Sequence, residues 1–170
     1  QLLVYTVVFS VIMRAGIEDY YLFLFVALIP WMFFSDSLVS GSTCIMAQQE
    51  MVKKIYFPRE VLPIALVPSR LVTVALSLLV VFAVLLVSGK GLNLLVMPYL
   101  IPVALVEYLL ALGIAFIASS VTVYFRDLGY ILSIVSMAWQ FLTPVMYSID
   151  MVPEELRSIF MANPMTSVII

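Results

Sequence analysis

Long apolar runs separated by short polar breaks set the plan of this chain. Residues 2–13 are apolar but too few for a spanning helix, which needs about 20. No basic stretch precedes them and no small-residue cleavage site follows, so they read as the second half of a truncated membrane helix rather than a signal peptide. Residues 14–19, with Gly16 as breaker, predict a loop. Residues 20 to about 47 predict a second membrane helix with two unlike halves. The first is apolar and aromatic, ending in Trp31, Phe33 and Phe34; the second carries Ser35, Asp36, Ser37, Ser40, Gly41, Ser42 and Thr43. Lipid penalises that second half, so it is expected against other helices or an aqueous cavity. Asp36 is either a cap or buried hydrogen-bonded carboxylate, or part of the lining of a substrate path. Pro30 predicts a bend.

Residues 48–60 are polar and hold three cations, Lys53, Lys54 and Arg59, beside Glu60. Pro58 and Pro63 restrict the residues before them and end helices. This hinge belongs in water or at a headgroup surface. Residues 62–87 predict a third helix; Arg70 lies ~12 Å inside it, within snorkelling reach of the interface or of a carboxylate such as Asp36 or Glu60. Residues 88–93 are a tight polar turn on the opposite side. Residues 94–124 exceed one simple span. Pro98 and Pro102 suggest a broken start, with a span from near Ala104 to near Val123 and Glu107 near the far interface. Arg126 and Asp127 then make a tight elbow on the hinge side. Residues 128–146 predict a fifth helix in which Gln140, Thr143 and Tyr147 share one face and Pro144 makes a kink. With Trp139 and Phe141, that face suits a gate or pore lining, or an aromatic belt at the interface. Residues 148–163 predict a short amphipathic helix, acidic at its start through Asp150, Glu154 and Glu155, with an apolar stripe of Leu156, Ile159 and Phe160. Asn163 and Pro164 stop it, and residues 165–170 start another helix.

Composition turns these runs into a class. Of 170 residues, 65% are hydrophobic and 11% charged, against roughly 45–50% and 25% for soluble domains. The fold expected is an all-α integral membrane helix bundle: a truncated first helix, four complete ones and the start of a last. A net charge of −2 and no long basic run point away from nucleic acid. The chain has no histidine, the commonest general base and metal ligand, and one cysteine, Cys44. No catalytic or metal-binding set is expected. Hinge and elbow together carry Lys53, Lys54, Arg59 and Arg126; the other side carries Arg14, Lys90 and Arg157. The excess makes the hinge side cytoplasmic.

The run Lys53-Lys54-Ile55-Tyr56-Phe57-Pro58-Arg59-Glu60, followed by Pro63, resembles the cytoplasmic hinge of bacterial type-2 ABC exporter permeases of the polysaccharide branch, which serve O-antigen, capsule and teichoic-acid export. Trp31 with Phe33-Phe34 resembles the second-helix aromatic cluster of that family. Val123-Tyr124-Phe125-Arg126-Asp127-Leu128 resembles its elbow, Phe141 with Thr143-Pro144-Val145 and Tyr147 its fifth-helix end, and Asn163-Pro164 the step before its last helix. Gln48-Gln49-Glu50 departs from the family, where Asn is common.

The resemblance implies one transmembrane permease domain over 1–170, with a cytoplasmic hinge at 48–63, a cytoplasmic elbow at 124–128 and an external short helical segment at 148–164. It implies about six transmembrane helices in the full protein, a homodimer of permeases in the bacterial cytoplasmic (inner) membrane, and two copies of a separate ATPase subunit that holds ATP and magnesium. These residues contain no Gly-x-x-x-x-Gly-Lys-Ser/Thr phosphate loop, so the chain is expected to be a transport subunit and not an enzyme. The implied coupling residues are Lys53, Lys54, Tyr56, Phe57, Pro58, Arg59, Glu60, Arg126 and Asp127. The implied path for a lipid-linked glycan uses Trp31, Phe33, Phe34, Asp36, Trp139, Gln140, Phe141, Thr143 and Tyr147, whose aromatic faces suit sugar rings. A small-molecule exporter of the same architecture is the alternative. An intramembrane enzyme and a purely structural subunit are further readings, and the enzyme has against it the lack of histidine and of a mid-membrane Ser-Lys or paired-carboxylate arrangement.

Overall fold

The computed structural model describes residues 20–54, 56, 58–87, 97–147, 149 and 152–169. The expected first helix, the loop at 14–19, the turn at 88–93, and Phe57 and Asp150 lie outside them. The described residues form helices α1 (Tyr20–Ala47), α2 (Gln49–Lys54), α3 (Val61–Val87), α4 (Leu100–Thr122), α5 (Leu128–Phe141), α6 (Glu154–Met161) and α7 (Pro164–Ile169), with a 3-10 turn at Met97–Tyr99 before α4. Among the described residues, three stretches are long and apolar enough to cross a membrane: Leu24–Lys54, Val61–Ala83 and Leu100–Thr122. The protein is an all-α, multi-pass membrane protein.

Helix α1 is the post around which the bundle is assembled, touching α3, α4, α5 and α7. Its composition explains this. The aromatic half supplies Trp31, Phe33 and Phe34, all buried, to a core completed by Val67, Ala111, Ala115, Val145, Met146 and Met165. The small polar half lets backbones approach, as membrane helices require when no water drives them together. At Gly41 a β-carbon would lie 2.7 Å from Cβ of Ala115 on α4, and at Gly129 of α5 one would lie 2.7 Å from Cγ2 of Thr43. Buried Ser37 Oγ has no partner among the described residues, but other hydroxyls in these seams are satisfied within their own helices. Ser42 donates to the carbonyl of Val39 at 2.7 Å, Thr122 to that of Ala118 at 2.7 Å and Ser119 to that of Phe116 at 3.0 Å. The outward faces of α3 and α4 are apolar and exposed, with Val72, Leu76 and Leu79 on one and Ile101, Leu105 and Ile117 on the other. Such faces have hydrocarbon as their solvent.

Several expectations need correction. Pro63 does not end a helix but lies in the first turn of α3, and Pro68 sits inside that helix. A proline in the first turn removes a donor that has no intrahelical acceptor anyway. Helix α4 starts at Leu100, earlier than expected, with Pro102 in its first turn. Glu107 is not an interface residue. It is 5% exposed, and its Oε1 is buried without a hydrogen-bond partner among the described residues, because it shares the inward stripe of Ala111, Ala115 and Ala118. Helix α5 has 14 residues, not 19, and is ~21 Å long. It stops at Phe141, as helices do ahead of a proline, and Pro144 follows in a run of turns rather than kinking a helix. Gln140, Thr143 and Tyr147 therefore do not share a helical face. The turns fold back on the helix end: Thr143 donates to the carbonyl of Trp139 at 3.0 Å, and Tyr147 to that of Phe141 at 2.7 Å. Asn163 clamps this corner from afar, donating from Nδ2 to Thr143 Oγ1 at 2.9 Å while its Oδ1 accepts the Met165 amide at 3.1 Å. It thus closes one element and opens α7.

Candidate functional site

The hinge is built as a helix, a short link and a second helix. In α2, Glu50 opens the helix and Lys53 and Lys54 close it, the order that the helix dipole favours. Glu50 reaches Lys53 at 3.9 Å and Lys54 at 3.8 Å, all three side chains being largely exposed. Tyr56 is fully exposed, and Pro58, Arg59 and Glu60 are exposed. The start of α3 is tied to these residues: the amides of Val61, Leu62 and Ile64 donate to the carbonyls of Pro58, Arg59 and Glu60 at 3.2–3.3 Å. Any push on Arg59 or Glu60 is therefore a push on the end of α3.

The elbow is equally short. The Tyr124 and Phe125 amides both return to the carbonyl of Val121, at 3.0 and 2.9 Å, and the Leu128 amide donates to that of Phe125 at 3.0 Å. Tyr124, Phe125, Arg126 and Asp127 are exposed. Hinge and elbow meet in one pocket of about 240 Å³, where Arg59, Glu60 and Pro63 face Ser120, Val123 and Tyr124. Lys53, Lys54, Arg126 and Asp127 stand outside its lining. Chain positions some 60 residues apart thus form one surface at one end of the bundle.

Further along α1 a groove of about 400 Å³ runs between α1 and α5. Trp31, Asp36, Gln140 and Phe141 line it, and Ser35 and Ser136 share a hydrogen bond of 2.7 Å across it. Asp36 is exposed and mid-helix, so it is neither a cap nor a buried carboxylate. Other residues expected on the path stand elsewhere. Phe34 is fully buried, edge-on to Trp139 at 5.3 Å and tilted against Trp31 at 5.9 Å. Thr143 is also fully buried, so neither side chain can touch a polymer. Phe33 faces a different cleft, between α1 and α3. Trp139 lines a hollow with Phe160 and Asn163, and Tyr147 meets Phe160 edge-on at 6.3 Å. Sequence reasoning missed Ser136 as the partner of Ser35. Nothing in an apolar helix marks one serine, although Ser133 and Ser136, three apart, form a polar strip on α5.

Comparison with known proteins fits this geometry. The family model described as ABC-2 type transporter matches residues 1–170. The O-antigen export system permease protein RfbA of Myxococcus xanthus is 34% identical over 169 residues, covering 98% of this chain. Two Klebsiella pneumoniae proteins of the same name are 31% and 29% identical over 168 residues, each covering 99% of it. The chain spans 65% of the length of each of these relatives.

Proposed function

The chain belongs to the ABC-2 type transporter family, and from that premise we propose that it is the membrane-spanning subunit of an ATP-driven exporter that carries lipid-linked polysaccharide across the bacterial cytoplasmic membrane. The names of its relatives favour O-antigen among the possible glycans. ATP, with magnesium, is hydrolysed on two copies of a separate subunit, and two copies of the permease form the path between them. The observation that carries this reading is the pocket in which Arg59 and Glu60 of the hinge meet Tyr124 of the elbow. A partner seated there grips two chain segments at once. The backbone bonds from Arg59 and Glu60 to α3 pass its motion into the membrane. Lys53, Lys54, Tyr56, Pro58, Arg126 and Asp127 extend the docking surface around the pocket. Asp36, Gln140 and Phe141 line the groove on which sugar rings slide, with the exposed ring of Phe141 for stacking and polar tips for hydroxyls, and buried Trp31 forms its floor.

The test is the Arg59→Ala, Glu60→Ala double variant of the full-length permease, expressed with its ATPase. The permease should remain in the membrane at normal level, with surface glycan lost and less ATPase copurifying. Normal export by the double variant would remove the hinge as the coupling element.

A further inference from the structure

The cleft between α1 and α3 is a cavity of about 330 Å³, separate from the α1–α5 groove except where the two share the ridge of Leu28, Met32 and Asp36. Its walls are mostly apolar, from Phe25, Leu28 and Phe33 on α1 and Val74 on α3, and it also holds two opposite charges, Asp36 on one wall and Arg70 on the other. Counted from the hinge ends of their helices, Ala47 and Val61, Asp36 lies ~16 Å deep and Arg70 ~14 Å, at about 1.5 Å per residue. Both charges therefore stand at one height, within the hinge-side leaflet.

They do not neutralise each other. The ion pairs at the hinge are those of Glu50 with Lys53 and Lys54, and neither Asp36 nor Arg70 takes part in them. Arg70 Nη2 donates to Ser40 Oγ at 3.3 Å, and its Nε is buried with no acceptor among the described residues. Ser40 is one turn nearer the hinge than Asp36, so the guanidinium leans toward the headgroup side. A guanidinium has five N–H donors in a fork that suits phosphate, and most of them are left unused here. Asp36, exposed across the cleft, is an acceptor without a donor among the described residues.

We propose that this cleft binds one membrane phospholipid with a phosphoethanolamine headgroup: its phosphate on Arg70, its primary ammonium on Asp36, and an acyl chain along Phe25, Leu28, Phe33 and Val74. The polarity is right for a lipid of the hinge-side leaflet, with the head toward the hinge and the chain toward the bilayer centre. The carboxylate selects the headgroup. An anionic phospholipid would bring uncompensated negative charge beside Asp36. A choline headgroup has no N–H to give it. Half-exposed Met32 leaves the mouth open on the lipid side. This binding does not depend on which substrate the exporter carries.

The experiment is native mass spectrometry of the full-length permease released from nanodiscs that contain equal amounts of phosphatidylethanolamine, phosphatidylcholine and phosphatidylglycerol. One ethanolamine lipid should be retained per copy, about tenfold over the other two, the ratio that one charge-assisted hydrogen bond supplies. Arg70→Gln should abolish retention. Asp36→Asn should keep a phospholipid but lose the preference for ethanolamine over choline. Equal retention of the three lipids by the unaltered protein would overturn the proposal, and so would retention of none, which would mean that protein covers the cleft. A preference for the glycerol lipid, or an Asp36→Asn variant with unchanged selectivity, would overturn it too. If Arg70→Gln does not accumulate, the unaltered protein and the isosteric Asp36→Asn still decide the matter, and no export assay enters the result.

Discussion

Gly129 and Gly41 hold close approaches between α1 and its neighbours, and each has a side chain already in the space a β-carbon would need. Gly129→Ala should force α5 away from Thr43, and Gly41→Ala should force α4 away from α1. Each should lower stability by about 1–3 kcal/mol, the usual cost of overpacking. Gly113 meets nothing within 4 Å, so Gly113→Ala should be neutral or slightly stabilising. Thermal unfolding of the three purified variants checks the set, and a Gly113→Ala loss as large as the others would refute the packing account. At this scale the sequence was only partly legible. Gly113, Ala115, Ala118, Ser119 and Ser120 on α4 are small residues that predict a close seam, and of these Ala115, Ala118 and Ser119 are buried in it while Gly113 and Ser120 are exposed. Glu107 begins the same stripe, but its depth along the helix argued for the interface. Depth is read from counting, whereas the direction a residue faces depends on which neighbour claims that side. Arg70 gave the same difficulty. A carboxylate partner was plausible by height, but the side chain ends on Ser40.

The hinge helix α2 carries its charge on the surface, so Glu50→Gln should cost less than about 0.5 kcal/mol of stability, the value of exposed pairs on a helix. The check is an unchanged melting temperature; a large fall would show that α2 is structurally essential to the bundle. The elements themselves were mostly readable because apolar length and polar breaks are strong signals. Helix α5 shows the limit. Leu142, Val145 and Met146 extend its apolar run, and the last two are buried, yet residues 142–147 form turns and bends. Hydropathy reports what is taken out of water, not the backbone shape that takes it out. The turns are fixed by Pro144 and by bonds from Thr143, Tyr147 and Asn163, and the Asn163 bond spans 20 residues. No local pattern contains a contact of that range. The hinge–elbow pocket is legible in part for the same reason: each segment was visible, but their meeting was not.

For the whole molecule, the proposed path lies between two copies of the chain rather than between helices of one. Helices α1 and α5 of one copy are joined through Ser35 and Ser136 at 2.7 Å, so they should move as one body. A Ser35→Cys, Ser136→Cys pair in a Cys44→Ala background, oxidised to a disulfide, should leave export running. Arrest on oxidation, with recovery on reduction, would place the opening inside one copy. The length of α5 bears on what such a pair of copies does to its surroundings. At ~21 Å it falls about a third short of a ~30 Å hydrocarbon layer. Lipids beside it must compress, or the headgroup region must dip to meet Leu142 and the turns beyond. Hydrophobic mismatch thus places a dimple in the bilayer at the end of the groove lined by Gln140 and Phe141. A polar polymer crossing there has fewer of its sugars in a low-dielectric zone at any moment than one crossing an undeformed membrane.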